Sequence, residues 1–341
     1  MAEPQQMTAA LIGAGMVART HVAACADARG VRLKGIMSRT PARAEALAPG
    51  GAVYADLDAV AADPEVDFAI IVTPPDARAD IVAPLAAAGK HILLEKPLGR
   101  TAEEARAVCK LCADAGVTLG VVFQHRMRAA SRKAAKLVAG GSLGALGLVE
   151  IAVPWWRDQG YYDEPGRGTY ARDGGGVLIS QAIHTIDLAL SLAGPVARTR
   201  AMATTTRFHA MEAEDFVTAG VEFANGAVGS LVASTASYPG GAETITLHSD
   251  AASLRLASGQ LHVHWRDGRE ETHGEEAGTG GGADPMAFTH AWHQSVIEDF
   301  ADALREGRAP AATGADAVAA QALIDAMIRS SKSGAPEEVT P

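Results

Sequence analysis

Short apolar runs alternate with helical patterns along the first third of the chain. Segments 81–89 and 101–116 each close with a glycine, and the second opens with a Thr-x-x-Glu capping pattern, which predicts helices. The apolar runs between the helical segments have the length and composition of strands buried on both faces, and they span residues 8–12, 31–37, 67–72, 91–94 and 117–122. Strands that alternate with helices predict an α/β fold with a parallel, doubly wound sheet.

After Arg126 the pattern changes to strands that follow one another directly. Residues 215–223 alternate apolar and polar side chains, and Asn225-Gly226 is a hairpin signal. Consecutive antiparallel strands are predicted from Val149 onward, including 196–205, 216–223, 227–236, 243–247 and 261–265. Helices are predicted over 131–139, 285–306 and 314–331, with a glycine-rich, acidic loop over 265–285. We expect an α+β domain with a large open sheet, one face of which serves a dimer interface.

The 341 residues therefore divide into two domains, 7–124 and 125–331, with tails at 1–6 and 332–341. The net charge of −10 and the lack of a basic stripe argue against a nucleic-acid partner. No apolar stretch reaches the roughly 18 residues of a membrane span, and the first residues lack a signal-peptide pattern. We expect a cytoplasmic protein without a membrane partner.

A glycine-rich turn follows the first predicted strand. Gly13 suits a tight turn, Gly15 lets a diphosphate approach the backbone, and Ala18 allows close packing of strand and helix. Met16 and Val17 lie within the same turn, before a helix whose N-terminal N–H groups can bind phosphate. The pattern predicts a dinucleotide site that also includes Thr73 and Pro74, where the backbone passes the nicotinamide ribose.

Ser38 and Arg39 follow the second strand, where an NAD site usually has an acidic residue for the ribose 2′-hydroxyl. A hydroxyl followed by a guanidinium suits a 2′-phosphate better, which predicts NADP as the preferred cofactor over NAD. The alternative is that Arg39 is a solvated surface residue at the start of the next helix.

Glu95, Lys96 and Pro97 come directly after the apolar run 91–94. The carboxyl ends of parallel strands are where ligands bind in such sheets, so a lysine at this position can act on a substrate. Glu95 and Lys96 are also assigned to the cofactor site.

Three glycines, 174–176, precede a helical pattern that carries Ser180, Gln181, His184 and Asp187 three and four residues apart. A histidine supported by polar neighbours can exchange a proton near neutral pH, although a buried structural histidine is the alternative. The remaining histidines are scattered, and Cys109 and Cys112 fit a packed helix face, so no metal site is predicted.

Aromatic and arginine side chains are concentrated in residues 154–170 of a chain with only 5% aromatic residues. Trp155, Arg157, Tyr162 and Arg167 offer the stacking faces and donors that a polyhydroxylated ring needs, although a dimer or interdomain contact is the alternative.

Several motifs occur here in the order seen in the glucose–fructose oxidoreductase, inositol dehydrogenase and rhizopine catabolism (Gfo/Idh/MocA) family. They are Gly13-Ala-Gly15, Thr73-Pro74, Glu95-Lys96-Pro97, Gln124-x-Arg126 and the run from Gly174 to His184-x-x-Asp187. The chain resembles this family from about residue 8 to about 331. The resemblance implies a Rossmann domain, an α/β domain with an open sheet, dimers or tetramers, and NAD(P)-dependent oxidation or reduction of a sugar or cyclitol hydroxyl.

By this resemblance Lys96 is the catalytic lysine and His184 the acid or base. Gln181, a neighbour of His184 on the same helical face, is a further candidate catalytic residue. Gln124, Arg126, Ser180 and Asp187 join the aromatic stretch as candidate substrate-binding residues. Two positions depart from the family pattern: Ser180 replaces an acidic or amide residue, and the segment up to Arg78 lacks a histidine. Redox-assisted glycoside cleavage and a non-catalytic, dinucleotide-sensing protein are the alternative functions.

Overall fold

Six parallel strands form the first of two sheets, in the order β3-β2-β1-β4-β5-β6. The structure is a computed structural model that describes residues 6–47, 51–276 and 288–340. The strands are β1 (Met7–Ile12), β2 (Val31–Met37), β3 (Ala52–Tyr54), β4 (Phe68–Ile71), β5 (His91–Glu95) and β6 (Leu119–Val122). The order reverses between β1 and β4, the point at which doubly wound sheets bind ligands. The prediction of a doubly wound sheet is confirmed.

Five helices connect these strands. They are α1 (Ala18–Asp27), α2 (Pro41–Leu47), α3 (Leu57–Ala62), α4 (Arg78–Ala87) and α5 (Ala102–Asp114). Single 3₁₀ turns cover Pro75–Ala77 and Gln124–Met127. The central strands β1, β4 and β5 are almost completely buried, which explains their unbroken apolar runs.

Nine strands form the second sheet, in the order β14-β13-β12-β11-β7-β10-β9-β8-β15. They are β7 (Leu146–Pro154), β8 (Val196–Thr204), β9 (Phe216–Phe223), β10 (Val228–Ser234), β11 (Thr244–Ser249), β12 (Ala252–Ala257), β13 (Gln260–Trp265), β14 (Glu270–His273) and β15 (Glu337–Glu338). The prediction of a large open, mostly antiparallel sheet is confirmed; the parallel pairing of β10 with β7 is the exception among its described neighbours.

The predicted loop over 265–285 is also wrong at its start, because β14 pairs with β13 there. A tight turn at Asp267-Gly268 makes this hairpin: Gly268 has φ of 91°, and the Trp265 N–H donates to the Arg269 carbonyl at 2.8 Å. Residues 277–285 of the predicted loop lie outside the described residues.

The later helices are α6 (Ala129–Ala139), α7 (Gln159–Tyr162), α8 (Ile183–Ala193), α9 (Ala291–Glu306) and α10 (Gly314–Ser333). A short π-helical turn, Leu178–Ala182, leads directly into α8. Over the described ranges, none of the helices has the length and apolar character needed to span a bilayer.

The chain forms two compact units. Met1–Gly99, Glu103–Gln124 and Thr289–Ala317 make the first unit, and Arg100–Ala102, His125–Phe288 and Val318–Pro341 make the second. The sequence pattern places 289–317 with the second domain, whereas in the structure this segment clusters with the first unit. Phe300 of α9 contributes to this clustering, because its buried ring packs edge-to-face on Phe68 of β4 at a centroid distance of 5.4 Å.

Candidate active site

The glycine turn after β1 has the features of a phosphate-binding loop. Gly13 has φ of +112°, which favours glycine, and its N–H donates to the Met37 carbonyl at 2.8 Å. Gly15 is exposed, and a Cβ there would meet only the Val72 carbonyl oxygen at 3.9 Å, so the protein leaves room above it. Helix α1 begins without a side-chain cap and without an acidic residue in its first turn. Its N-terminal N–H groups fit the diphosphate of a dinucleotide.

Other predicted cofactor residues lie at the same edge of the first sheet. Met16 is 51% exposed and Val17 is half-buried beside the turn. At the end of β2, Ser38 is half-buried and accepts from the Thr40 N–H at 3.2 Å, and Arg39 is exposed. Thr73 and Pro74 follow β4, and the Thr73 hydroxyl is buried without a hydrogen-bond partner among the described residues. The structure therefore brings the predicted dinucleotide residues of β1, β2 and β4 to one sheet edge.

Lys96 follows the last residue of β5 and is half-buried. Its N–H donates to Glu95 Oε2 at 3.2 Å, and its carbonyl accepts from Arg78 Nη2 at 3.3 Å. Arg78, noted above as a departure from the family pattern, also donates from Nε and Nη2 to the Thr73 carbonyl at 3.1 and 2.9 Å. Its guanidinium thus joins the chain segments that leave β4 and β5.

Glu95 is a buried carboxylate beside two buried histidines. His21 Nε2 lies 2.8 Å from Glu95 Oε1, and His293 Nε2 lies 3.7 Å from the same oxygen. Burial raises the pKa of Glu95, but the hydrogen bond from His21 and the nearby positive charges outweigh it and lower that pKa to about 2. Burial and the neighbouring His21 lower the pKa of His293 to about 3, so its imidazole is neutral at neutral pH.

His21, Glu95 and His293 also form the one group of the described residues whose side chains could jointly bind a metal ion. Metal-bound histidines usually donate their second nitrogen to an acceptor. His21 Nδ1 has no hydrogen-bond partner within the described ranges, and the 2.8 Å contact of Nε2 is that of a hydrogen bond. We interpret the group as a hydrogen-bonded cluster around Glu95.

The three glycines before α8 are explained by close backbone contacts. A Cβ on Gly174, which has φ of +84°, would lie 2.5 Å from the Arg100 carbonyl oxygen. A Cβ on Gly176 would lie 1.8 Å from the Glu214 carbonyl oxygen, so no side chain fits. The Glu214 carboxylate accepts from the N–H groups of Gly176 and Leu178 at 3.1 and 3.2 Å. Glu214 therefore caps the π-helical turn that leads to His184.

His184 lies in the first turn of α8 and is 6% exposed. Its ring stacks on that of His125 at a centroid distance of 4.9 Å and an interplanar angle of 28°. Gln181 is buried and donates from Nε2 to the Tyr161 hydroxyl at 3.2 Å, whereas Ser180 is half-buried. The structure thus places the predicted histidine next to a second histidine that the sequence analysis did not select.

Arg126 and Asp187, both predicted to bind substrate, bind each other. Arg126 Nε and Nη2 donate to the two Asp187 carboxylate oxygens at 2.7 and 2.6 Å, in a bidentate pair. Asp187 is 1% exposed, so its carboxylate orients Arg126. Gln124 is buried, and its Oε1 has no hydrogen-bond partner in the parts of the chain that the structure describes.

The residues selected in the aromatic stretch are buried or half-buried, and each contacts neighbouring groups. Trp155 donates from Nε1 to Glu243 Oε2 at 3.3 Å, and the Tyr162 hydroxyl lies 2.6 Å from Thr235 Oγ1. Arg157 is buried and donates to the Trp156 carbonyl at 2.6 Å. Arg167 bonds Glu164 and lies over the half-buried Tyr161 ring at 4.1 Å. The Tyr161 hydroxyl also accepts from Gln181, in the π-helical turn that leads into α8.

Several residues that contact the candidate site residues were not predicted from the sequence, and long-range contacts hold them in place. His125 lies between Gln124 and Arg126, which the sequence did suggest. Glu243, directly before β11, accepts a hydrogen bond from Arg128 Nη1 at 2.6 Å. His293 and His21 meet Glu95 although they are separated by 272 residues (293 − 21). Only the position of His125 within the Gln124-x-Arg126 motif gave a usable signal.

Two family descriptions match the chain. "Oxidoreductase family, NAD-binding Rossmann fold" matches residues 7–123, and "GFO/IDH/MocA C-terminal domain" matches residues 131–255. Inositol 2-dehydrogenase of Rhizobium meliloti is 30% identical over 336 residues, which cover 94% of this chain and 95% of the relative. D-apiose dehydrogenase of Paraburkholderia graminis is 25% identical over 345 residues, which cover 97% of this chain and 89% of the relative.

Solved structures are similar over nearly the full length. Levoglucosan dehydrogenase in complex with NADH and levoglucosan has a TM-score of 0.85 and 25% identity, covering 99% of this chain and 100% of that chain. The WlbA dehydrogenase from Bordetella pertussis in complex with NADH and UDP-GlcNAcA has a TM-score of 0.82 and 26% identity, with coverage of 99% and 100%.

Proposed function

Because the chain belongs to the GFO/IDH/MocA family of NAD(P)-dependent oxidoreductases, we propose that Lys96 and His184 are its catalytic pair and that its substrate is a sugar, sugar derivative or cyclitol. In the proposed reaction a hydroxyl-bearing carbon is oxidised, or the corresponding keto carbon is reduced. Relatives and solved neighbours named for inositol, apiose and levoglucosan support a polyhydroxylated substrate.

The position of Lys96 is the observation that carries this proposal. Lys96 follows β5 at the carboxyl edge of the parallel sheet, the edge that also presents the glycine turn and Thr73. An ammonium at this edge can donate to an oxygen of a bound substrate and stabilise negative charge on it. His184 supplies a group that can accept or donate a proton near neutral pH.

The cofactor is proposed to bind along the turn formed by Gly13, Gly15, Met16 and Val17 and at the start of α1. The nicotinamide ring, when bound, supplies the hydride acceptor for oxidation or the hydride donor for reduction. Exposed Arg39 with Ser38 is proposed to bind a ribose 2′-phosphate, which gives a preference for NADP over NAD.

In the oxidation direction, an imidazole nitrogen of His184 accepts the proton of the reacting hydroxyl. Lys96 Nζ donates a hydrogen bond to the same oxygen and lowers the energy of the developing alkoxide. Gln181, fixed through Tyr161, and Arg126, fixed through Asp187, are proposed to orient the other hydroxyl groups. Ser180 and Gln124 are proposed to complete the polar lining.

The test is steady-state kinetics of Lys96→Met and His184→Asn with saturating cofactor and a panel of inositol, apiose, xylose and levoglucosan. Each substitution is expected to lower kcat by about 10²–10⁴, since each removes a proton-transfer or charge-stabilising group. His262→Asn, in the same unit and away from this helix, is the control and should keep kcat. Near-wild-type turnover of K96M would disprove the assignment.

We also propose that the nine-stranded sheet forms the oligomer interface, in dimers or tetramers. Met202, Val228 and Val232 are 53%, 52% and 40% exposed, and they lie on one face of the sheet. Exposed apolar side chains clustered on one face are typical of an interaction surface. Residues 7–124, together with 289–317, are the proposed nucleotide-binding part, and the sheet unit is the proposed substrate and oligomerisation part.

A further inference from the structure

The main chain of Lys96 is bonded by side chains on both of its polar groups. β5 ends at Glu95, so Lys96 lies one residue beyond the last strand position. Its N–H donates to Glu95 Oε2 at 3.2 Å, and its carbonyl accepts from Arg78 Nη2 at 3.3 Å. A residue at a strand exit that is bonded in this way has less freedom to change its backbone direction, and therefore the direction of its side chain.

Arg78 has a geometry suited to this task. It is 3% exposed, and its planar fork reaches the Thr73 carbonyl after β4 and the Lys96 carbonyl after β5. Nη1 is buried and has no hydrogen-bond partner among the described residues. Burial lowers the pKa of Arg78 to about 10 against the attraction of Glu95, so the guanidinium stays charged at neutral pH.

Glu95 supplies the opposite charge in the same cluster. Its carboxylate is buried and receives the hydrogen bond of His21, so it is ionised at neutral pH. One of the two buried charges bonds the Lys96 N–H, and the other bonds the Lys96 carbonyl. Removal of either charge leaves the other buried and less compensated, which is costly.

We propose that Arg78 is a positioning residue for Lys96: together with Glu95 it clamps the Lys96 main chain so that the ammonium is presented in one direction at the sheet edge. The inference rests on the proposed function of Lys96. Arg78 itself need not touch the substrate. If Arg78 and Glu95 hold Lys96 in this way, substitution of the buried Arg78 should lower turnover and leave cofactor binding nearly unchanged.

Lys90 offers a matched control at the other end of β5. It is also a buried cation that bonds two carbonyls, those of Asp63 and Val66, at 2.6 and 2.9 Å. Lys90→Met and Arg78→Met therefore each remove a buried cation that donates to two backbone carbonyls, but only Arg78 bonds Lys96. Both are expected to lower the thermal stability, since both leave buried carbonyls without a donor.

The first readout needs no substrate. Hydrogen–deuterium exchange of peptides that contain residues 95–98 should become faster in R78M and stay at the wild-type rate in K90M. In steady-state assays R78M should lower kcat about 10–100-fold, since small misplacements of a catalytic group have effects of this size, with the NADPH dissociation constant nearly unchanged. R78K, which keeps the charge but loses the fork, should fall between R78M and wild type.

A double-mutant cycle separates positioning from a general structural role. If Arg78 acts through Lys96, R78M should cause little further loss in the K96M background, because the positioned group is already absent. Equal loss in both backgrounds, or unchanged kcat and exchange in both R78M and R78K, would overturn the inference. Retained turnover of K96M alone would instead refute the proposed function, so the two failures are distinguishable.

Discussion

Arg39 is the residue on which the proposed cofactor preference depends. It is exposed directly after β2, beside the half-buried Ser38, and none of residues 38–40 is acidic. We expect Arg39→Gln to weaken NADPH binding about tenfold or more and NADH binding much less, because a charge-assisted contact to phosphate is lost. Fluorescence titration of both cofactors measures this.

Arg43, exposed on the adjacent helix α2, provides the control for Arg39. R43Q carries the same change of charge and should leave both affinities nearly unchanged. A parallel loss of NADPH and NADH affinity in R39Q would show that Arg39 does not bind the 2′-phosphate.

His293 makes the stability depend on pH. Burial lowers its pKa from 6.5 to about 3, so between these values the unfolded chain binds a proton that the folded protein does not. The free energy of unfolding should therefore fall as the pH decreases below 6.5, by at most about 1.4 kcal/mol per pH unit. His293→Gln should remove this slope in urea unfolding curves between about pH 5 and pH 7.5.

That window also separates His293 from Glu95. The pKa of Glu95 is lowered from 4.5 to about 2, so its contribution is present above 4.5 and is lost only as the pH falls from 4.5 toward 2. His262→Gln, at a half-buried histidine of β13, should keep the wild-type slope. An H293Q protein that loses as much stability as wild type between pH 7.5 and about pH 5 would contradict the assignment.

Single site residues were predictable from the sequence where a reactive or special residue type lies at the end of a predicted strand or helix. Gly13, Gly15, Lys96 and His184 follow or begin elements whose ends the pattern locates, so their places in the fold could be expected. Other contacts join residues far apart in the sequence, which no local pattern shows. They are Arg78 with Lys96, 18 positions away, Glu214 with Gly176, 38 positions away, and His293 with Glu95, 198 positions away. Arg126 and Asp187 were both predicted to bind substrate, but in the structure they bind each other.

The entry to α8 is the element most sensitive to a single methyl group. Because a Cβ on Gly176 would lie 1.8 Å from the Glu214 carbonyl oxygen, Gly176→Ala must displace the backbone that leads to His184. We expect a loss of at least about 2 kcal/mol in the free energy of unfolding, and a lower kcat. Chemical denaturation and steady-state kinetics test both effects.

Gly220 in β9 is the matched control, since an added Cβ there meets nothing within 4 Å. G220A should remain within about 1 kcal/mol of wild type. Wild-type stability of G176A would mean that the close approach of Glu214 does not exist in solution.

The sequence predicted the helices and strands that have a clear hydrophobic pattern. It did not predict features that depend on which strands pair with each other. The buried runs of β1, β4 and β5 have unbroken apolar character, so their type was clear. β14 has four residues that alternate between exposed and half-buried, and the predicted loop included the Asp267-Gly268 turn that precedes it. β7 and β10 are far apart in the sequence and pair in parallel. The alternation of apolar and polar residues within each strand does not reveal which strands become neighbours.

The proposed oligomer depends on one face of the nine-stranded sheet. Met202, Thr218, Val232 and Ala152 are register partners across four neighbouring strands and so form one row on the sheet. We expect Val232→Glu to convert a dimer or tetramer into smaller species, because a charge would be buried at the interface. Light scattering after size-exclusion chromatography measures the mass.

Phe208 is 54% exposed in a loop outside the sheet strands and is the control for Val232. F208E should keep the wild-type mass. An unchanged mass for V232E, or a monomeric wild type, would refute this interface.

Hydride transfer that depends on Lys96 is the central claim, and isotope transfer measures it most directly. The purified protein, with NADP or NAD, is mixed with inositol or a sugar of the panel deuterated at its hydroxyl-bearing carbons, and mass spectrometry follows deuterium on the nicotinamide. We expect the wild-type enzyme to transfer about one deuterium to the nicotinamide per turnover. The transfer rate should be about 10²–10⁴-fold higher than in K96M. Absence of deuterium transfer from every compound, or equal rates for wild type and K96M, would contradict it.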